Sequence, residues 1–390
     1  MLFNNFNEKL LGLQDVEIKN IKSDNEFNVI TIRMLRKPHL CPCCGKPTDR
    51  IHDYRKQAIK DVTSFGKNTI LLLEKRRYVC DCGKRFFEKI PFLPKYHRMT
   101  HRLILGVIEA LKSTASFTDI SNRFNISVST VIRIFDKVTF LKPKLSKVIA
   151  IDEFKGNTWG EKYQCIITDP ESRKVLDILP NRFSSTLSAY FKSFNDRDNV
   201  DFFISDMWRT YADISKTYFK KSKYVVDKYH WIRQVFWAFE RVRKDVQKTF
   251  SKEYRIYFKH SKMILLKRNH LLDDVQRQKI SVMLSVSPTL STAYFIKEDF
   301  LKILSCKDRE QAKKHLLSWI DYANDSGIDA FKKCASTMFS WLTGILNSFN
   351  TPYTNGFTEG CNNKIKVLKR NAFGYRNFTR FRKRILHIFA

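Results

Sequence analysis

The sequence predicts a mixed α/β core, a sheet flanked by helices, followed by a long all-α segment and preceded by a small cysteine-bearing β module and a helical segment. Three observations predict it. Between residues 147 and 228, short β-rich runs ("KVIAID", "YQCIITD", "RKVLDIL", "VDFFISD", "KYVVD") come first in succession and then with helical stretches such as "TLSAYFKSF" between them. That is the pattern of a sheet whose later strands are reached by helical crossovers. From 229 to 348 aromatic and basic residues recur at helical spacing with no strand-like block, as in "WIRQVFWAFERVRKDVQKTF", which predicts helices alone. Near the start, "CPCCG" at 41–45 and "CDCG" at 80–83 lie among short β-like runs such as "TILLLEKRRYVC".

These textures divide the 390 residues into 1–98 (the cysteine module), 99–145 (helical), 146–228 (first part of the core), 229–348 (all-α) and 349–390, where "FTRFRKRILHIF" is again helical in pattern. The length suits more than one domain at about 150 residues each. Lys and Arg outnumber Asp and Glu by 71 to 39, a formal charge of +32, so the expected partner is a polyanion, nucleic acid first, because each neutralised phosphate releases condensed counterions. "MLFNNFNEKLLGLQDV" lacks the charged and apolar regions of a signal peptide, and no run approaches a membrane span. A cytoplasmic protein with no membrane partner is expected.

Five of the nine cysteines fall in the two clusters. In a reducing compartment such pairs predict metal before disulfide. Cys41 and Cys44 form C-x-x-C and Cys80 and Cys82 the tighter C-x-C, each pair followed by a glycine (Gly45, Gly83) that suits a turn whose amides approach sulfur. Four thiolates predict a closed, structural Zn²⁺ site. Cys43, His52 and His97 are the alternative ligands.

In the helical segment, "FTDISNRFNISVSTVIRIFDKV" fits two helices around a tight turn. Phe117, Ile120 and Phe124 share one face of the first, and Val128, Val131 and Phe135 one face of the second. Asn125 stands where left-handed φ is wanted, and Ser127 is a good N-cap. The pattern is that of a helix-turn-helix presenting Ser129, Thr130 and Arg133 to a DNA major groove, with an ordinary helical hairpin as the bland reading. The helix is expected to run to "LKPKL", where Pro143 interrupts it.

In the core, four strand-like runs end in aspartate: Asp152, Asp169, Asp206 and Asp227. Each alone reads as a turn former. If the first three strands make an antiparallel meander, Asp169 lies at the far end of the sheet and drops out. The strands before Asp206 and Asp227 follow crossovers and run parallel to the first, so their ends share its rim. A pair of metal ions about 4 Å apart needs further carboxylates there. In "YTNGFTEGCNNKIKVLKRNAFGYRNF", Phe357, Cys361, Ile365 and Leu368 form a core stripe, while Glu359, Asn362, Asn363, Lys366 and Arg370 lie broadly on the other side. Thr354 or Asn355 would cap this helix, placing Glu359 in its first turns, where the macrodipole favours a carboxylate.

"AIDEF", "ISDMWRTYADI", "VDKYHWIRQV" and "NGFTEGCNNKIKVLKRNAFGYRNFTRFRKRIL" resemble, in order and wording, the DDE transposases of bacterial insertion sequences, most closely the ISL3 type, over about residues 38–388. The resemblance implies an RNase H-like catalytic core with a large all-α insertion, preceded by a zinc-binding domain and a helix-turn-helix. The C-x-C at Cys80 and Cys82 is shorter than that family's usual second pair. Matched residue by residue, Asp152, Asp206 and Glu359 become the catalytic, Mg²⁺-binding (or Mn²⁺-binding) triad, and the much longer interval before Glu359 corresponds to the insertion. The implied chemistry is metal-assisted cleavage at a terminal inverted repeat and attack of the freed 3′-hydroxyl on target DNA. Lys366, Lys369, Arg370 and Arg376 would contact phosphates, and a dimer or higher oligomer would hold the DNA ends. Asp227 and His230 are read first as packing residues, with a role in supporting the metal ligands or touching substrate as the second reading. Two other classes stay open: a DNA-binding regulator without catalysis, and a hydrolytic nuclease on the same fold.

Overall fold

The computed structural model describes residues 11–258 and 261–390. They fall into two compact units, one running to Phe140 and including Arg370–Phe373, the other comprising Leu141–Lys369 and Gly374–Ala390.

The first unit begins with β1 (Val16–Ser23), β2 (Phe27–Met34), β3 (His39–Leu40), β4 (Pro47–Thr48), β5 (Ile51–Ser64), β6 (Lys67–Val79) and β7 (Arg85–Phe87). The main sheet has the order β1-β2-β6-β5, with β7 also on β6 and β2 parallel to β6. Burial alternates along β2, turning Ile30, Ile32 and Met34 inward onto Ile59, Leu71 and Leu73, the period of two that a half-buried strand requires. The β5–β6 hairpin turns through Phe65 and Gly66, both at positive φ, as its right-handed twist demands.

Three helices follow, α1 (His101–Ala110), α2 (Phe117–Arg123) and α3 (Val128–Asp136). Ser116 and Asp119 form a capping box on α2, Asn125 has φ of 47° in the turn, and the Ser127 hydroxyl accepts the N–H of Thr130 to start α3. Their core is Leu103, Val107, Ile120, Val131, Ile134 and Phe135. Two details differ from expectation. Val128 is 36% exposed, because it opens α3 before the stripe engages the core. And α3 stops at Asp136, well before Pro143, since after Phe135 the apolar period lapses into exposed Asp136 and Lys137.

The second unit holds β8 (Val148–Thr158), β9 (Glu161–Asp169), β10 (Lys174–Leu179), α4 (Ser184–Lys192), β11 (Phe202–Ser205), α5 (Arg209–Tyr218) and β12 (Lys223–Val226). Its sheet has the order β10-β9-β8-β11-β12. The first three strands are an antiparallel meander; β11 and β12 run parallel to β8. Both faces are covered, which is why these strands read as continuous apolar runs. Ile149, Ile151, Ile167 and Phe203 pack with Phe191, Ile214 and Phe219 on one face, and Val148, Ala150, Ile204 and Val225 line the other.

After β12 the described residues are helical up to Asn347: α6 (Lys228–Thr249), α7 (Lys252–Tyr257), α8 (Ser261–Leu266), α9 (Asp274–Val286), α10 (Pro288–Ile303), α11 (Arg309–Asp325), α12 (Asp329–Ser340) and α13 (Leu342–Asn347). They share one core rich in Trp231, Phe239, Phe300, Trp319 and Phe331. Within it Lys297 is fully buried, its ammonium donating to the Leu265 carbonyl and lying 4.2 Å from the Tyr294 ring. The helical block meets the sheet at α13, where Asn347 Nδ2 donates to the Tyr224 carbonyl and Gly344 passes so close that a Cβ would stand 2.7 Å from Val226. The chain returns in α14 (Gly356–Asn371) and ends in α15 (Phe378–Ile388). None of the described helices is long and apolar enough to cross a membrane.

Candidate active site

Strand β11 pairs with β8 only as far as Ile204 opposite Ala150. Asp152 lies two residues beyond that pair, Asp206 directly follows β11, and Asp227 directly follows β12 with its N–H on the Ser205 carbonyl at 3.0 Å. Three carboxylates therefore stand at the C-terminal rim of the parallel strands, where α/β sheets hold ligands. Asp152 is not at a strand end, as its apolar run suggested: β9 keeps pairing with β8 past Asp152 to Thr158. Asp169 is a turn residue, accepting the N–H groups of Glu171 and Ser172.

By strand alternation Asp152 shares the face of Val148 and Ala150, which α14 covers. Thr358 bonds to Thr168 (2.8 Å), and Asn362 Nδ2 donates to Asp152 Oδ2 at 2.9 Å. Asn362 was read onto the polar side of the wheel; it is buried, and its polarity serves the carboxylate. The other oxygen of Asp152 accepts the Glu153 N–H at 2.8 Å, and Asp206 accepts the Trp208 N–H at 3.1 Å.

No cation pairs with Asp152, Asp206 or Glu359 among the described residues. Burial, with added repulsion from Asp206, Glu153 and Glu359, pushes Asp152 up to about 7. Burial and the Glu153 charge push Asp206 up to about 6, against the pull of Arg182 and Arg233. Glu359 is raised by burial and by Asp227. Buried and half-buried carboxylates that repel one another and have no paired cation fit a divalent cation, with hard oxygen donors of the kind Mg²⁺ takes.

Glu359 lies in the first turn of α14. Its carboxylate stands with Asp227 and His230, the ligand atoms of the three lying within 4.8 Å of one another; Asp152, Asp206 and Glu359 do not gather so tightly. Sequence reasoning set Asp227 on the shared rim but read it and His230 first as packing residues. The signal was the D-x-x-H spacing, which sets both one turn apart where β12 passes into α6. Arg233, one turn further on, was also missed. Its guanidinium lies 4.4 Å from the Trp237 ring and 5.1 Å from the Tyr229 ring, both exposed. Across the rim, Arg182 pairs with Glu153 while stacking 4.2 Å over Trp208 and 4.7 Å over Tyr163.

The basic residues of α14 divide. Lys366 and Arg370 are exposed, as is Arg376 beyond the helix, but the Lys369 ammonium donates to the Lys155 carbonyl of β8. On α3, Ser129 and Arg133 are exposed and Thr130 half-buried, with Arg133 donating to Thr130 Oγ1 at 3.1 Å.

In the first unit Cys41, Cys44, Cys80 and Cys82 converge, with Sγ–Sγ distances of 3.6 Å (Cys41–Cys82) and 3.5 Å (Cys44–Cys80). A tetrahedron of Zn–S bonds has edges of about 3.8 Å, so the cluster fits zinc. Gly45 and Gly83, at φ of 72° and 78°, return their N–H groups to the carbonyls of Cys41 and Cys80. Cys43 and His97 stand outside the cluster, and His52 is bonded to Asp53.

Comparison with known proteins agrees with this layout. Residues 37–82 match the zinc-finger of transposases IS204, IS1001, IS1096 and IS1165. Residues 88–139 match the helix-turn-helix domain of transposase family ISL3, and residues 149–385 match the ISL3 DDE transposase family. The transposase for insertion sequence element IS1001 of Bordetella parapertussis is 27% identical over 363 residues, 89% of this chain and 88% of its own. That of IS1557 from Mycobacterium tuberculosis is 28% identical over 141 residues, 36% of this chain and 32% of its own. A protein named an ATP-dependent protease in Lactococcus lactis is 34% identical over 104 residues, 27% of this chain and 32% of its own. With its zinc-finger, helix-turn-helix and DDE regions in this order, the chain belongs to the ISL3 family of insertion-sequence transposases.

Proposed function

We propose that this transposase cuts and joins DNA with Asp152, Asp206 and Glu359 as its catalytic carboxylates, on an RNase H-like core of residues 146–228 and 349–390 interrupted by an all-α insertion at 229–348. The observation that carries this is the pair of aspartates at the sheet rim, Asp152 buried and Asp206 half-buried, with which no described cation pairs and which are raised to about 7 and about 6. Divalent ions, Mg²⁺ or Mn²⁺, supply Lewis-acid activation of the attacking oxygen when bound there. Asp152 and Asp206 hold them, Asn362 keeps Asp152 oriented, and Glu359 completes the set from α14. The strand order, an antiparallel meander followed by two parallel strands, supports the RNase H-like reading.

The flanking regions serve DNA. The N-terminal domain, 1–98 in the sequence, holds a structural Zn²⁺ through Cys41, Cys44, Cys80 and Cys82. Residues 99–145 offer Ser129, Thr130 and Arg133 to the terminal inverted repeat. Lys366, Arg370 and Arg376 grip phosphates, with Lys369 committed to the sheet. Two ends must be held for joining, so a dimer or larger assembly forms on DNA.

The test incubates the full-length protein and Mg²⁺ with labelled duplex carrying the terminal inverted repeat and with target plasmid. Joined products are expected, lost in Glu359→Gln while gel retention persists. Joining that survives Glu359→Gln would remove it from the triad; cleavage without joining would indicate a nuclease, and retention without either a regulator.

A further inference from the structure

The catalytic assignment uses Glu359 but leaves Asp227 and His230 idle, although the three side chains converge more tightly than the triad itself. They arrive from three places: the end of β12, the first turn of α6 and the first turn of α14. We infer that Asp227, His230 and Glu359 form a second metal site, of mixed nitrogen and oxygen ligands, that takes a first-row transition ion such as Mn²⁺, Co²⁺ or Zn²⁺ in preference to Mg²⁺.

Two carboxylates within 4.8 Å of each other repel, and the charge of Asp227 falls on Glu359. Arg233, the nearest cation in the helix, reaches the ring of His230 rather than either carboxylate, at 3.4 Å from Nδ1. Metal ligation through one ring nitrogen leaves the other as an N–H, so an ion would replace this long contact rather than add to it. An imidazole in the ligand set is what turns preference from Mg²⁺ towards transition ions.

A second observation comes from the wall of the cluster. Asn355 donates its backbone N–H to Asp227 Oδ1 at 2.9 Å and accepts the N–H of Glu359 on its carbonyl at 3.0 Å. Its side chain is completely buried, yet neither Oδ1 nor Nδ2 has a partner. Buried amides are seldom left so, and the residue whose backbone joins Asp227 to Glu359 thus carries an unused oxygen donor of the kind a divalent ion takes.

The consequence for catalysis rests on the proposal that Glu359 is catalytic: an ion here would fix that glutamate through Asp227 and His230 while its carboxylate completes the set that Asp152 and Asp206 begin. Its ligation is measurable without DNA. Full-length protein, zinc content intact, is titrated with Mn²⁺ and followed by electron paramagnetic resonance, with pulsed measurement of nitrogen coupling to the bound ion. Expected is ¹⁴N coupling in wild type and in Asp152→Asn, replaced by the ¹⁵N pattern when histidine is ¹⁵N-labelled. In His230→Gln the coupling should vanish, with that class of Mn²⁺ binding weakened at least about tenfold, the scale on which even outer partners of a ligand act. Because the label marks all nine histidines, Asp227→Asn, which should weaken the same nitrogen-coupled class of Mn²⁺ binding, keeps the test decisive if His230→Gln folds poorly. Absence of nitrogen coupling in wild type, or coupling that survives His230→Gln, overturns the site. Because ligation and not joining is read, a negative result leaves the catalytic carboxylates standing, and a failure of joining leaves this site standing.

Discussion

The two proposed ligand sets of this chain are built in opposite ways. Cys41, Cys44, Cys80 and Cys82 come from two short turns, each closed by its own glycine, and their sulfurs already stand 3.5–3.6 Å apart in pairs. Asp152, Asp206 and Glu359 come from β8, the end of β11 and α14, the last set apart from the first two by the whole helical block, and they stand looser. Soft thiolates on tight turns make a site whose ion belongs to the fold. Carboxylates gathered by tertiary structure make one whose unbound state is strained by like charge and burial. The first site should lose structure when its ligands are removed, and the second should lose activity while gaining stability.

The largest effect expected is therefore on the thiolate side. Cys80→Ser, or prolonged chelation, should release one zinc per chain and unfold the first unit, because structural zinc supplies on the order of 10 kcal/mol of folding free energy in small modules. Zinc by mass spectrometry and a thermal melt would read it. A full zinc complement and unchanged melt in Cys80→Ser would break the comparison at its stronger end.

Asp152→Asn is the converse. Strand joining should fall at least about 10²-fold, on the scale of losing one preorganised electrostatic contact, while the metal-free protein melts higher. The sign follows from linkage. Asp152 is raised to about 7 in the fold against an ordinary 3.8, so between those values the folded chain binds more protons and stability falls as pH rises. The full cost, present above pH 7, is about 4 kcal/mol at about 1.4 kcal/mol per unit. Asparagine should remove that slope, and saturating Mg²⁺ should remove much of it in wild type. A melt that is flat from pH 5 to 7.5 in metal-free wild type would show that the aspartate is not strained.

The same contrast explains what could be read in advance. Zinc ligands within a few residues of one another are visible as spacing, and so is the cap-and-turn chemistry of Ser116, Asn125 and Ser127. The rim was legible only in part. Apolar runs located the strands before Asp206 and Asp227, but "AIDEF" looked like a strand end because the pairing that carries β8 onward is supplied by β9, which no local pattern announces. Glu359 came from resemblance, since nothing in α14 says which sheet it covers. For the same reason a helical wheel set Asn362 on the polar side: it cannot distinguish water from a buried carboxylate. Asp227 and His230 were visible as residues and unassigned as neighbours.

Asn362 offers an intermediate test. Asn362→Leu leaves Asp152 Oδ2 without its 2.9 Å donor, and losing one partner of a buried group costs about 1–3 kcal/mol. Joining should drop about tenfold to a hundredfold, with Mg²⁺ required at higher concentration. Full recovery of rate at high Mg²⁺ would mark Asn362 as a positioning residue for the metal ligand; no shift in the Mg²⁺ requirement would mean that it only packs.

The smallest effect separates two lysines one turn apart. Lys366 is exposed and its charge reaches Glu359, whereas the Lys369 ammonium is engaged by the Lys155 carbonyl. Each phosphate neutralised by a cation contributes about 0.9 to the slope of log affinity against log salt. Lys366→Ala should thus weaken DNA binding and lower that slope by about one, while Lys369→Ala, which removes a strut between α14 and β8, should leave the slope unchanged and lower the melting temperature slightly. Equal salt slopes for the two variants, measured by titrating labelled duplex between 50 and about 200 mM salt, would mean that Lys369 leaves the sheet for DNA, and that the rim rearranges on binding in a way the thiolate cluster cannot.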